Sequence, residues 1–383
     1  MRVGIPKERR AGEARVAASP DMVKKLAGPG LEIAIERGAG EGAIMPDDAF
    51  AEVGVRLVAG LEALYGEADV ILKVRRPLAP DEDGPDEVAM MKEGAVLIGL
   101  LDPLRHRDQA RTYAARRLTV FAMELMPRLS RAQSMDALSS QSNLAGYKAV
   151  VDAAAAYGRL MPMMMSAAGT IAPARVLVLG AGVAGLQAIA TARRLGAIVS
   201  AFDVRPAVKE EVESLGATFI EVPNAEGEQA QEASGYAKEM SEDYRRRQTE
   251  LIHETLTKTD IAITTALIPG KPAPRLITAD MVKDMKPGSV IVDLAVEEGG
   301  NCEFSEVDQV VRKNGVTIMG HANLPSELAP DASALYARNL LNFLIPMVDR
   351  DSGNLAIDWE DEIINGTLLT RDGEIVHPAL TSN

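Results

Sequence analysis

Three closely spaced glycines constrain the fold of this chain more than any other feature. Gly180, Gly182 and Gly185 follow the run 175–179, which is apolar from Val176 onward, and begin an alanine-rich helical segment. In such a strand-turn-helix unit the first glycine permits a tight turn, the second lets backbone N–H groups approach a pyrophosphate, and the third lets the helix pack on the strand. The positive helix N-terminus then faces the phosphates. The pattern predicts a dinucleotide site in a parallel α/β domain.

An acidic residue after the next predicted strand indicates which dinucleotide binds. Asp203 follows the apolar run 197–202, at about the distance from the glycines at which a carboxylate hydrogen-bonds the hydroxyls of an adenosine ribose. Because this carboxylate would repel a 2′-phosphate, the sequence favours NAD(H) over NADP(H). Arg205 lies two residues further on and leaves phosphate binding open as an alternative. A turn whose glycines have only a steric role is a second alternative.

Size, charge and cysteine content limit the class of protein. The 383 residues suffice for two domains, and a content of 47% hydrophobic and 25% charged residues is that of a globular protein. The formal net charge of −14 argues against nucleic acid as a partner. Cys302 is the single cysteine, which excludes an internal disulfide and favours a reducing compartment. Together with the four scattered histidines it gives no metal-ligand pattern. No stretch of about 20 residues is apolar enough to predict a membrane span.

Short apolar strands alternate with helical segments in two series, which predicts two α/β domains. The first series ends near residue 123 and the second begins at residue 175. Helical patterns over residues 142–160 and 333–344 are predicted to connect them. Two short strands around Asp372 and Gly373 are assigned to the first domain.

The predicted fold class is therefore α/β, with two Rossmann-like parallel-sheet domains joined by long helices and the cofactor in the cleft. The expected first domain comprises residues 1–138 and is completed by residues 330–383. The expected NAD-binding Rossmann domain comprises residues 139–329.

Several separate motifs resemble a single protein family. Residues 4–20 resemble the opening shared by alanine dehydrogenases and the NAD(H)-binding component of proton-translocating transhydrogenases. The polar stretch at 123–146 is similar to the transhydrogenase loop that meets the nicotinamide end of NAD(H), and residues 235–240 and 264–274 are similar to the same proteins. The resemblance implies a subunit that presents NADH to a separate NADP(H)-binding subunit or domain, coupled to a membrane-embedded proton-channel subunit.

The resemblance also implies a location and an assembly. The chain would be cytoplasmic and peripheral on the inner face of the cell membrane, held there through its partner subunits. The methionine-rich segment 161–165 and the following residues 166–173 suggest a strand pair that packs across a twofold axis. A homodimer is therefore expected.

The candidate site residues come from the glycine pattern and the resemblance together. Arg128, Gln133, Asp136 and Ser139 are the candidate catalytic residues, since transfer between two nicotinamides needs positioning in a dry site and no protein acid or base. Tyr236 belongs to the polar segment 224–247, which is expected to act as a lid. The expected nucleotide contacts are Arg128, Leu129, Ser130, Arg131, Gln133, Ser134, Met135, Asp136, Gly180, Ala181, Gly182, Val183, Gly185, Asp203, Val204, Arg205, Gly235, Tyr236, Gln248, Ala266 and Leu267.

Other interpretations of these residues stay open. Spacing alone also fits a solvated loop and a helix N-cap for residues 128–139. Alanine dehydrogenases carry a histidine, the usual acid or base, just after the strand that here ends near Asp102, whereas His106 lies further along. Lys73 does match the family's substrate-side lysine. An alanine dehydrogenase that works alone and a non-catalytic NAD(H)-binding module are therefore the two alternative functions.

Overall fold

The computed structural model describes residues 1–28, 30–222, 241–268 and 270–381. It divides into two compact units, the first formed by Met1–Gln141 with Pro325–Asn383 and the second by Ser142–Leu324. The boundaries predicted from the sequence, 138/139 and 329/330, lie a few residues from the observed 141/142 and 324/325. Two mainly parallel sheets, one in each unit, confirm the predicted α/β fold class.

The β-strands of the described residues follow the predicted alternation. They are β1 (Arg2–Ile5), β2 (Glu32–Glu36), β3 (Arg56–Val58), β4 (Val70–Arg75), β5 (Val96–Leu100), β6 (Thr119–Ala122), β7 (Met164–Ser166), β8 (Gly169–Ile171), β9 (Arg175–Leu179), β10 (Ile198–Phe202), β11 (Thr218–Phe219), β12 (Ile261–Thr264), β13 (Val290–Asp293), β14 (Val310–Lys313), β15 (Val316–Met319), β16 (Leu368–Arg371) and β17 (Glu374–Ile375).

The α-helices lie mostly between these strands. They are α1 (Pro20–Leu26), α2 (Asp47–Ala51), α3 (Leu61–Glu67), α4 (Glu87–Met90), α5 (Arg107–Ala115), α6 (Ala137–Tyr157), α7 (Val183–Arg194), α8 (Lys209–Ser214), α9 (Glu242–Leu256), α10 (Ala279–Asp284), α11 (Ala329–Leu344), α12 (Glu362–Thr367) and α13 (Pro378–Thr381). Among the described residues, no helix combines the length and apolar character that crossing a bilayer requires.

The first unit contains a sheet with the strand order β17-β16-β6-β5-β4-β1-β2-β3. Its strands from β1 to β6 pair in parallel, and β16 pairs antiparallel with β6. The predicted tail hairpin is confirmed as β16 and β17. Both turn residues have positive φ, +55° at Asp372 and +89° at Gly373, as a tight hairpin turn between twisted strands requires.

The second unit has the strand order β11-β10-β9-β12-β13-β15-β14. Because β9 lies between β10 and β12, the order of strands along the chain reverses beside it. Ligands of open α/β sheets bind at such a reversal, outside the carboxyl ends of the strands. Only β14 runs antiparallel in this sheet among the described strands, and sequence reasoning missed this edge strand.

The two long helices, α6 and α11, differ in whether they cross the boundary between the units. Helix α6 crosses the boundary after Gln141, and its buried Ala149, Val150 and Ala153 belong to the core of the second unit. Helix α11 lies wholly in the first unit, where Tyr336 and Leu340 are fully buried. The second crossing therefore comes before α11, in a short 3-10 turn (Leu324–Leu328), and not within a long helix.

Candidate functional site

The glycine turn between β9 and α7 has the geometry of a tight strand-to-helix connection. Gly180 has a φ of +102°, which residues with a Cβ rarely adopt, and a Cβ there would lie 2.6 Å from Thr265 Oγ1. A Cβ at Gly185 would lie 1.9 Å from Gly180 O. Both positions therefore need glycine for reasons internal to the protein.

Gly182 differs from the other two glycines because its missing side chain leaves open space. Beyond its chain neighbours, no described heavy atom lies within 4 Å of a Cβ built there. Gly182 immediately precedes α7, whose first N–H groups have no acceptor within the helix. A purely steric role explains Gly180 and Gly185 but not Gly182, whereas a pyrophosphate at this helix N-terminus would use both the space and the donors.

Asp203 lies at the carboxyl end of β10, next to the glycine turn. Its Oδ2 accepts a hydrogen bond from the Ala181 backbone N–H at 2.7 Å. Its two carboxylate oxygens also accept from the Arg205 side chain, Oδ1 from Nε at 2.9 Å and Oδ2 from a terminal guanidinium nitrogen at 2.8 Å. The structure thus brings together the two residues that favour opposite nucleotides when they are considered from the sequence.

The segment after β12 completes this group of residues in the second unit. Thr265 Oγ1 donates to Gly180 O at 3.0 Å, which joins the two loops at the strand reversal. Ala266 is held by Asn301, whose amide accepts from Ala266 N at 3.0 Å and donates to Ala266 O at 2.9 Å. The side chain of Leu267 is 45% exposed. Sequence reasoning missed the fully buried Asn301, for which the preceding Gly299 and Gly300 were the only signal of a special loop.

The remaining second-unit candidates are only partly described. Gly235 and Tyr236, with most of the expected lid, lie outside the described residues. Gln248 is half-buried on α9. One turn earlier on this helix, burial raises the pKa of Tyr244, and the negative charge of Asp203 adds to the effect. Helix α9 therefore lies near the Asp203 end of the site.

In the first unit, residues 128–139 form a structured loop, with Ser130–Met135 in a 3-10 helix. Ser134 O accepts from the side-chain amides of Asn339 and Asn342 on α11, both at 3.0 Å. Arg131 makes two hydrogen bonds to the Asp361 carboxylate, at 2.7 and 2.8 Å. The loop is therefore held in place by two distant segments, while the side chain of Gln133 remains exposed.

Asp136 has a local structural role at the start of α6. Its carboxylate accepts from the Ser139 backbone N–H at 2.9 Å and from the Ser139 hydroxyl at 2.5 Å. This is the helix N-cap arrangement, which the spacing of these two residues also allows as the alternative to a nucleotide contact. The expected brace between Arg128 and Asp136 stays a prediction.

Lys73 lies in a buried cluster of charges in the first unit. Its ammonium is 3.2 Å from Glu8 Oε2 and 3.1 Å from Glu87 Oε1, and the Tyr65 hydroxyl donates to Glu87 at 2.8 Å. Burial alone would lower the pKa of Lys73, but the two carboxylates outweigh it and raise the pKa. The residue is 0% exposed, so its charge is balanced inside the protein.

Two family models match the chain in succession. That of the alanine dehydrogenase/PNT N-terminal domain matches residues 4–145, and that of the C-terminal domain matches residues 149–378. The first part of the NAD(P) transhydrogenase alpha subunit of Rhodospirillum rubrum is 59% identical over 381 residues, which cover 100% of this chain and 99% of the relative.

Solved structures agree with this result. A transhydrogenase structure from Sinorhizobium meliloti is 50% identical with a TM-score of 0.87, and the match covers 98% of this chain and 100% of that one. An L-alanine dehydrogenase structure is 25% identical with a TM-score of 0.81, over 99% and 98% of the two chains. The two comparison proteins that are transhydrogenases therefore share at least twice the sequence identity of the dehydrogenase.

Proposed function

This chain belongs to the alanine dehydrogenase/PNT family, and we propose that it is the NAD(H)-binding component of a proton-translocating NAD(P) transhydrogenase. The single observation that carries this proposal is the 59% identity, end to end, with the first part of a transhydrogenase alpha subunit. That relative is named as one portion of one subunit, which implies further chains. We infer that these supply an NADP(H)-binding domain and a membrane-embedded proton channel, so that the chain is a cytoplasmic protein bound peripherally to the membrane.

The second unit supplies the residues that would hold NAD(H). The N-terminus of α7 and the open space at Gly182 suit the pyrophosphate. Asp203 suits the adenosine ribose, because a carboxylate accepts hydrogen bonds from ribose hydroxyls. Ala266 and Leu267, at the strand reversal, and Gln248 on α9 extend this surface. The nicotinamide itself supplies the hydride chemistry when it is bound.

The first-unit loop supplies the residues that would position the reacting end. Direct transfer requires the two nicotinamide C4 atoms to approach within about 3 to 3.5 Å with water excluded. The 3-10 helix Ser130–Met135 is anchored through Arg131 and through Ser134, and the side chains of Arg128 and Gln133 are exposed beside these anchors. We assign Arg128 and Gln133 to orientation of the nicotinamide, and Asp136 and Ser139 to the start of the helix that supports them.

Lys73 favours this proposal over an alanine dehydrogenase. A lysine that binds an amino-acid substrate must offer a donor to it, whereas Lys73 is fully buried between Glu8 and Glu87. His106, the histidine after β5, lies at the start of α5, and its Nε2 is 3.8 Å from Asp102 Oδ2.

The decisive experiment mixes the purified chain with an NADP(H)-binding transhydrogenase domain and follows hydride transfer from NADH to an NADP⁺ analogue. We expect transfer only when both proteins are present. The same preparation, assayed alone with alanine and NAD⁺ or with pyruvate, ammonia and NADH, should be inactive. Turnover in that second assay would instead establish the dehydrogenase. Tight NADH binding without activity in either assay would favour the non-catalytic module.

A further inference from the structure

The pairing of Asp203 with Arg205 has a consequence for nucleotide choice that goes beyond the proposed function and rests on it. We propose that the guanidinium of Arg205 is able to bind a 2′-phosphate but that its ion pair with Asp203 prevents this. The ion pair, and not the Asp203 charge alone, then sets the preference for NAD(H) over NADP(H). Arg205 is then a second specificity-determining residue of the adenosine ribose subsite.

The hydrogen bonds of the Asp203 carboxylate carry the argument. Oδ1 accepts from the Arg205 backbone N–H and from its Nε, both at 2.9 Å. Oδ2 accepts from a terminal nitrogen of Arg205 at 2.8 Å and from the Ala181 backbone N–H at 2.7 Å. An ionised carboxylate offers about four lone-pair sites. All four have a donor in this structure, three of them from Arg205.

The environment makes this pair stronger than an ordinary surface salt bridge. The side chains of Arg205 and Asp203 are only 16% and 6% exposed, so solvent and salt screen them less than they would screen surface charges. Two parallel N–H···O bonds also fix the orientation of the guanidinium plane. A ribose that binds Asp203 must therefore share or replace donors that Arg205 now provides.

The position of Arg205 decides what it would do without its partner. It lies three residues beyond the carboxyl end of β10, and its partner Asp203 is hydrogen-bonded to Ala181 of the glycine turn. An arginine at such a place accommodates the 2′-phosphate of NADP(H) in sheets of this kind. Guanidinium binds phosphate in the same bidentate manner as it binds carboxylate. Removing the Asp203 charge should both relieve repulsion of the phosphate and release the arginine to receive it.

The test measures NADH and NADPH affinities by nicotinamide fluorescence for the native chain, Asp203→Asn, Arg205→Ala and the double variant. Asparagine preserves the shape of Asp203 and one acceptor for Ala181. We expect Asp203→Asn to weaken NADH binding about tenfold or more and to strengthen NADPH binding by on the order of tenfold. Arg205→Ala should abolish that NADPH gain in the Asp203→Asn background, and alone should not create NADPH binding.

Two results would overturn the inference. One is an Asp203→Asn variant with unchanged NADPH affinity, and the other is a gain that persists in the double variant, since loss of repulsion alone would then explain it. Thermal unfolding monitors the integrity of each variant, and Asp203→Ser provides a second folded background. A native chain that binds neither nucleotide would overturn the proposed function together with this inference. If the native chain binds NADH and one of the two results above is obtained, only the inference about Arg205 is overturned.

Discussion

At the residue scale, the fold shifts the protonation of Glu124 toward neutral pH. It follows β6, and its Oε1 accepts from the backbone N–H groups of Leu101, at 2.7 Å, and of Asp102. Its Oε2 is buried with no hydrogen-bond partner among the described residues. Burial raises the pKa of Glu124 from 4.5 to about 7, against the lowering effect of those N–H donors.

This raised pKa predicts a pH-dependent stability. Because the folded-state pKa exceeds the unfolded one, the stabilising contribution of the neutral carboxyl is complete below about pH 4.5 and is lost as the pH rises through about 7. Glu124→Gln stays neutral, so its free energy of unfolding relative to the native chain should increase by about 3 kcal/mol over this interval. Urea unfolding at several pH values from 5 to 8 measures the difference. A difference that does not change with pH would contradict the assignment.

Gln133 allows nucleotide binding and hydride transfer to be separated at a single side chain. It is exposed on the anchored 3-10 helix of the first unit, whereas the residues proposed to hold the pyrophosphate and ribose belong to the second unit. Gln133→Ala should therefore leave NADH affinity nearly unchanged and slow transfer to the partner's nucleotide by up to about a hundredfold, since a displacement of about 1 Å has such an effect.

Binding titrations and single-turnover transfer in the reconstituted complex measure the two quantities. Arg128→Ala should reduce both, because it also removes a proposed direct contact. Gln309→Ala, at an exposed glutamine just before β14, is the matched control and should change neither. If Gln133→Ala transferred hydride at the native rate, the loop would have only a structural role.

At the element scale, α6 is positioned against the start of α7 by a glycine. A Cβ added to Gly146 would lie 2.1 Å from Ala184 O, in the first turn of α7. Overpacking of this kind costs about 1 to 3 kcal/mol, more than the roughly 1 kcal/mol of helix propensity that alanine gains over glycine. Gly146→Ala should therefore destabilise the second unit and, by moving the proposed phosphate-binding turn, weaken NADH binding about tenfold.

Gly66 in α3 provides the opposite case. Beyond its own helix and chain neighbours, no described heavy atom lies within 4 Å of a Cβ built there, so Gly66→Ala should be neutral or stabilising by up to about 1 kcal/mol without effect on NADH affinity. Chemical unfolding and NADH titration of both variants test the contrast. Equal effects of the two substitutions would rule out the close approach of α6 and α7 as the cause.

At the scale of the whole molecule, the β7–β8 hairpin and the residue before it expose a cluster of apolar side chains. Within the described part of the chain, the two strands pair only with each other, and an isolated two-stranded hairpin is marginally stable in water. Met163, Met164, Met165 and Ile171 are 59%, 47%, 73% and 43% exposed. Clustered apolar exposure marks an interaction site, and we propose that a second copy of this chain covers it in a twofold dimer.

Sedimentation of the native chain at micromolar concentration should therefore show a dimer. Met165→Asp should weaken dimerisation by about tenfold or more, because a charge at each symmetry-related contact would be buried without a partner. Val307→Asp, at a residue 52% exposed outside the hairpin, is the control and should leave the dimer intact. A native monomer at that concentration would exclude the proposed dimer.

Local properties of the chain specify the class of fold and the position of the glycine turn. Both depend on local properties of the backbone: alternating apolar segments specify a parallel sheet with helices, and the turn at Gly180 needs a φ of +102° that glycine adopts without strain. Asp372 and Gly373 likewise specified the tail hairpin through their turn geometry. Strand order within each sheet followed from tertiary pairing.

Long-range contacts in the folded chain select the partners of the candidate site residues. Asn301 holds Ala266 across 35 residues, and Arg131 pairs with Asp361 across 230 residues, distances over which spacing in the chain carries no signal. The exposed β14 lacked the apolar periodicity that marks the buried strands. Arg205 lies close to Asp203 in sequence, but its position on the carboxylate depended on rotamers that packing sets. Residue types thus indicated the chemistry, while long-range packing and burial selected the contacts that each side chain makes.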